Sequence, residues 1–113
     1  MRSIPQKMNE KLTVILAEFR HYLEALYGER LDQIVLYGSQ ARGDARPGSD
    51  IDVLIVLKEP VNSSAEIERT SEFTSNLCLD YNVVISRTFV STEQFQYENG
   101  GFFRNVRREG IAI

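Results

Sequence analysis

A chain of 113 residues has room for one domain with a real core and none for a second. Apolar residues make up 42% and charged residues 26%, the balance of an ordinary soluble protein. The net charge of −3 argues against non-specific nucleic-acid binding, which needs a basic footprint, and with Cys78 the single cysteine there is neither an intramolecular disulfide nor a cysteine-based zinc site.

From the N-terminus, Met8, Leu12, Ile15, Leu16, Phe19, Leu23, Leu26 and Tyr27 recur at three- and four-residue intervals, which predicts an amphipathic helix closed by Gly28. His21 falls in this pattern as a surface residue. Gln33 to Tyr37 reads as a strand ending at Gly38. A short helical turn over Gln40 to Gly43 and a turn at Arg46 to Ser49 follow. Ile51 to Leu57 is apolar on both faces, as in a central strand covered on both sides, and Pro60 ends it.

A less regular helix is expected from Ser63 to Leu79, capped by Asn62 or Ser63. A third strand is expected over Asp80 to Ser86, centred on Val83-Val84-Ile85. Ser91 to Phe95 reads as a capped short helix, Gly100-Gly101 as a hinge or loop, and Phe102 to Arg108 as one or two helical turns before a short apolar tail released by Gly110. Phe19, Phe73, Phe89 and Phe95 read as core. Phe102 and Phe103, set among Arg104, Arg107 and Arg108, either pack inward or form a protein-contact patch. No signal peptide or apolar run of membrane length is visible, so the expectation is a cytoplasmic protein without membrane contact.

The chemistry concentrates in residues 36–55, LYGSQARGDARPGSDIDVLI. Asp50 and Asp52 stand two apart at the head of a strand, so their side chains share a face, about 6–7 Å apart along the backbone. Such a pair suits magnesium, which takes one or two protein carboxylates and fills its octahedron with phosphate oxygens. Two ions about 3.5–4 Å apart are within its reach. Gly38 is small enough for a sharp turn and for close approach of backbone amides to a phosphate. The Ser39 hydroxyl can hydrogen-bond a terminal phosphate oxygen, and Arg42 or Arg46 can neutralise triphosphate charge. Asp44 reads as a solvated loop residue. The candidate nucleotide-binding set is Gly38, Ser39, Arg42 and Ser49, and the candidate metal ligands are Asp50 and Asp52.

This segment resembles the DNA polymerase beta-like nucleotidyltransferase superfamily, and within it the minimal prokaryotic type. The resemblance implies an α/β fold, a small mixed sheet flanked by helices, with residues 1–113 forming a single nucleotidyltransferase domain. It implies magnesium-dependent transfer of a nucleoside monophosphate, AMP from ATP, to a hydroxyl acceptor. It also implies a HEPN-type toxin as partner, so that the chain acts as an antitoxin, with its oligomeric state left open. The superfamily usually places a third acid on the next strand. Here Asn82 stands at the expected equivalent place, and Asp80, on the same face by the period of two, is the candidate catalytic substitute. If neither serves, the chain is a weak or inactive nucleotidyltransferase-like antitoxin that neutralises its partner by binding.

Overall fold

The computed structural model describes residues 9–113, and Met8, expected in the first helix, lies outside them. Helix α1 spans Glu10–Tyr27, where the Asn9 side chain accepts from Leu12 N at the N-terminus. Leu12, Ile15, Leu16, Phe19, Leu23 and Tyr27 form its buried stripe, while Leu26 is exposed and His21 lies on the surface. Gly28, at φ +54, stops the helix and opens a short 3-10 turn over Gly28–Arg30. Strand β1 follows at Leu31–Tyr37, two residues longer at its start than the pattern suggests.

Helix α2, Gly38–Arg42, begins at once and ends at Gly43 in the left-handed region. Strand β2, Ile51–Leu57, is buried at every position except Asp52, which is half-buried. Helix α3 runs Ser63–Tyr81 with Asn62 as its cap, accepting from Ala65 N. Strand β3 is Ile85–Ser91, and helix α4, Thr92–Tyr97, opens on a capping box between Ser91 and Gln94. Helix α5 spans Gly101–Glu109, so of the expected hinge or loop at Gly100-Gly101 only Gly100 lies outside a helix, and Gly101 begins one. The apolar tail is a two-residue strand, β4, at Ile111–Ala112.

The sheet order is β3-β2-β1-β4. β1 is antiparallel to β2 and to β4, and β2 is parallel to β3 across the α3 connection. The result is the expected small mixed sheet with helices on its faces.

Alternation along the strands divides the core in two. Val53, Ile55, Ile34, Leu36 and Phe89 face α1 and α3, meeting Ile15, Phe19, Leu23 and Leu77. Val35, Leu54, Val56 and Val90 face the other way, toward Phe95 of α4 and Val106 of α5. Fully burying a side chain such as Phe19 contributes about 1.5–3 kcal/mol. Phe73 is partly buried instead, stacked on Tyr22 with ring centroids 3.9 Å apart.

One expected element is misplaced. Asp80 belongs to the last turn of α3, not to a strand, and Asn82 is its left-handed terminal residue at φ +54 and ψ +53. The third strand therefore begins at Ile85. The helix wins because Leu77 anchors its last turns in the core, and Asn is one of the few residues that tolerates the left-handed conformation ending them.

Candidate active site

The described part of the Gly38–Asp52 segment gathers at one end of the β1–β2 pair. Tyr37 is the cross-strand partner of Asp52, and Asp52 in turn is paired with Ser86 on β3. Paired residues project from the same side of a sheet, so the Tyr37, Asp52 and Ser86 side chains form a row on the face that carries α4 and α5. Asp50 joins that row just before β2: the Ser86 hydroxyl donates to Asp50 Oδ2 at 3.3 Å. The ladder is secured behind it, with Ile51 N donating to Val84 O at 2.8 Å.

Gly38 turns the chain at φ +73 directly against Asp52. A Cβ built on Gly38 would collide with Asp52 Oδ2 and stand 3.2 Å from Cγ. Tyr37, which precedes α2, makes no side-chain cap hydrogen bond to it. Ser39 is half-buried in that turn, and its carbonyl accepts from Gly43 N at 3.0 Å and Asp44 N at 3.1 Å.

The loop between α2 and β2 is held by its own hydrogen bonds. Ser49 Oγ accepts from Arg46 N at 2.9 Å, Ser49 N donates to Arg46 O at 2.9 Å, and Gln40 Nε2 donates to Ser49 O at 3.4 Å. Ser49 thus shapes the turn that delivers Asp50. Arg42 pairs with Asp44 at 3.3 Å and reaches Glu109 of α5 at 3.7 Å. Arg46 lies exposed in the turn.

Burial raises the Asp52 carboxyl above its ordinary range, the neighbouring Asp50 charge raises it further, and Arg42 opposes both. Tyr37 is raised chiefly by burial and also by Asp52, against the hydrogen bond with Thr88 on β3 at 3.2 Å. Two adjoining carboxylates, one partly desolvated and each repelling the other, are hard oxygen donors whose repulsion a divalent cation relieves. Magnesium fits this donor set because it asks a protein for only one or two carboxylates. Among the described residues no cluster of three or more His, Cys, Asp or Glu is placed to hold a metal.

Asp80 and Asn82 are not brought to this face. Asp80 is exposed on α3, so the shared-strand argument for it fails. Asn82 instead lines a cleft of about 740 Å³ with Leu12 and Ile15 of α1 and with Arg42, Arg46 and Ser49 of α2 and the loop after it. Sequence reasoning overlooked Tyr37, Ser86 and Thr88. Tyr37, next to Gly38, shares a face with Asp52 in the register the two strands adopt. Ser86 and Thr88 become visible only once the start of β3 is known.

A site of this kind, with a glycine-serine corner and an Asp-x-Asp strand on a small mixed sheet, defines a nucleotidyltransferase. The chain belongs to that family: residues 16–101 match the nucleotidyltransferase domain. It is similar to a Methanocaldococcus jannaschii protein named "Putative protein adenylyltransferase MJ0604", with 38% identity over 107 residues, 94% of this chain and 99% of that one. A second protein of that organism, MJ0141, carries the same description and is 36% identical over 72 residues, 64% of this chain and 72% of its own length.

Solved structures share the fold. A "putative nucleotidyltransferase from Sulfolobus solfataricus" superposes with a TM-score of 0.64 at 16% identity, over 96% of this chain and 90% of that one. A crystal structure of a toxin-antitoxin with AMP-PNP gives 0.57 at 17% identity, over 92% of this chain and 72% of that one. Among the described residues no helix is long and apolar enough to cross a membrane.

Proposed function

We propose that the chain transfers AMP from ATP to a hydroxyl of a partner protein, and that this partner is a HEPN-type toxin which the chain restrains as an antitoxin. The observation that carries the reading is the closure of the Asp52 carboxylate onto the Gly38 backbone, with Asp50 beside it. In this reading the Gly38 and Ser39 amides and the Ser39 hydroxyl receive the triphosphate. Arg42 adds positive charge from α2, and Ser49 sets the turn that aims Asp50. Asp50 and Asp52 would hold magnesium, which supplies charge neutralisation for the triphosphate and for the departing pyrophosphate. The acceptor oxygen forms a bond to the α-phosphorus as the bond to the pyrophosphate oxygen breaks, and the hydroxyl proton passes to solvent.

A second reading, neutralisation by binding alone, is favoured by Ser86. It stands on β3 opposite Asp52 and contacts Asp50, yet a serine hydroxyl does not accept a proton as a carboxylate does. One experiment separates the two: incubation with labelled ATP, magnesium ions and the protein encoded beside this chain. Label on the partner, lost in Asp50→Asn and Asp52→Asn variants that keep the fold, supports transfer. A stable complex without label leaves only the binding reading.

A further inference from the structure

Phe102 lies at the start of α5 with 43% of its surface exposed, although it belongs to an anchored helix. Its ring meets that of Tyr37 edge-to-face, centroids 5.5 Å apart at 88°, and that of Phe103 at 5.2 Å and 85°. Tyr37 is the cross-strand partner of Asp52, so this aromatic group is continuous with the carboxylate row. The position is fixed. Val106 is buried one turn further on, and Arg107 donates to Phe95 O at 2.6 Å and to Glu98 O at 2.7 Å, clamping α5 to the end of α4.

A large aromatic ring held rigidly, left nearly half in water and set beside an anion site asks for a flat apolar ligand group. We propose that Phe102, held by Tyr37, is the stacking platform for the base of the nucleoside triphosphate, and that it favours purines for their larger ring area. The proposal rests on the nucleotide reading above and adds to it the residue that distinguishes a nucleotide from a bare polyphosphate. Base–aromatic stacking of ordinary strength corresponds to roughly tenfold in affinity.

The test measures dissociation constants of ATP and of inorganic tripolyphosphate, both with magnesium, by calorimetry on the wild-type chain, Phe102→Ala and Phe102→Trp. The expected result is a roughly tenfold loss of ATP affinity in Phe102→Ala, unchanged tripolyphosphate affinity, and recovery in Phe102→Trp. Unchanged ATP affinity in Phe102→Ala, or equal weakening of both ligands, would overturn the stacking role while leaving the nucleotide reading intact. Failure of the wild-type chain to bind either ligand would overturn the nucleotide reading and the platform with it.

Discussion

The carboxylate of Asp52 closes against the backbone of Gly38, so tightly that a methyl group on Gly38 would stand 3.2 Å from Asp52 Cγ and overlap Oδ2. Two demands meet at this glycine. Its φ of +73 is one that side chains rarely adopt, and its missing side chain is the space the carboxylate occupies.

Gly43 separates the two demands, because it has φ +82 but nothing within 4 Å of a Cβ. Gly43→Ala should therefore cost about 1–2 kcal/mol of stability through backbone strain alone and keep nucleotide affinity. Gly38→Ala should cost more and abolish binding of ATP with magnesium, because the carboxylate must leave its place. Denaturant unfolding and ATP titration of both variants check this pair of outcomes.

Asp52 has a raised carboxyl pKa, so the folded chain holds its proton more tightly than the unfolded chain does. The sign follows: the stability tied to this group is full below the ordinary carboxylate range and is lost as pH rises through the folded value. Asp52→Asn removes that loss. Without magnesium the variant should melt higher than the wild type at pH 7, and the gap should shrink as the pH falls toward 4. With magnesium and ATP at a hundred times the dissociation constant, the wild type should gain about 2.7 kcal/mol and the variant far less. Melting curves with and without the ligand pair give both readings.

Asn82 is a helix terminus in the left-handed conformation, not a strand residue facing the aspartates. Asn82→Gly should leave stability within about 0.5 kcal/mol or raise it, while Asn82→Val should cost about 1–2 kcal/mol or more, as a β-branched side chain fits that conformation poorly. Neither change should alter the affinity for ATP, nor should Asp80→Asn. Loss of binding in these variants would return the third-ligand role to the end of α3.

That misplacement shows what the sequence can and cannot carry. Gly38, Ser39, Asp50 and Asp52 were legible because local rules bind them: a small residue at a corner, and a period of two along a strand. The α1 stripe and the Ser91–Gln94 capping box were legible for the same reason. The β3 boundary was not. Val83-Val84-Ile85 looks like a strand in isolation, but α3 extends to Tyr81 and of the three only Ile85 lies within β3, opposite Ile51. Ser86 and Thr88 reach the site through that tertiary register, and Phe102 reaches Tyr37 through the packing of α5, neither of which leaves a trace in local pattern.

Away from the site, Tyr27 and Glu66 tie α1 to α3 in the core. The Tyr27 hydroxyl donates to Glu66 Oε1 at 2.6 Å, and Arg69 Nε donates to the same oxygen at 3.0 Å. Burial alone would raise Glu66, but Tyr27 and Arg69 outweigh it and hold the carboxyl below its usual range. The stability from this group is therefore present above the ordinary glutamate range and lost as pH falls through the lowered value. Tyr27→Phe keeps the packing and deletes the donor, so it should cost about 1.5–3 kcal/mol at pH 7, and progressively less as the pH falls through the lowered Glu66 value and the carboxyl takes up its proton. At the alkaline end the order changes for a different reason. Burial raises the Tyr27 phenol, so the wild type loses stability above about pH 10 as the unfolded phenol ionises, and the variant is spared that loss. Urea unfolding of both chains at pH 3, 7 and 11 should show the difference largest at pH 7 and smaller on either side.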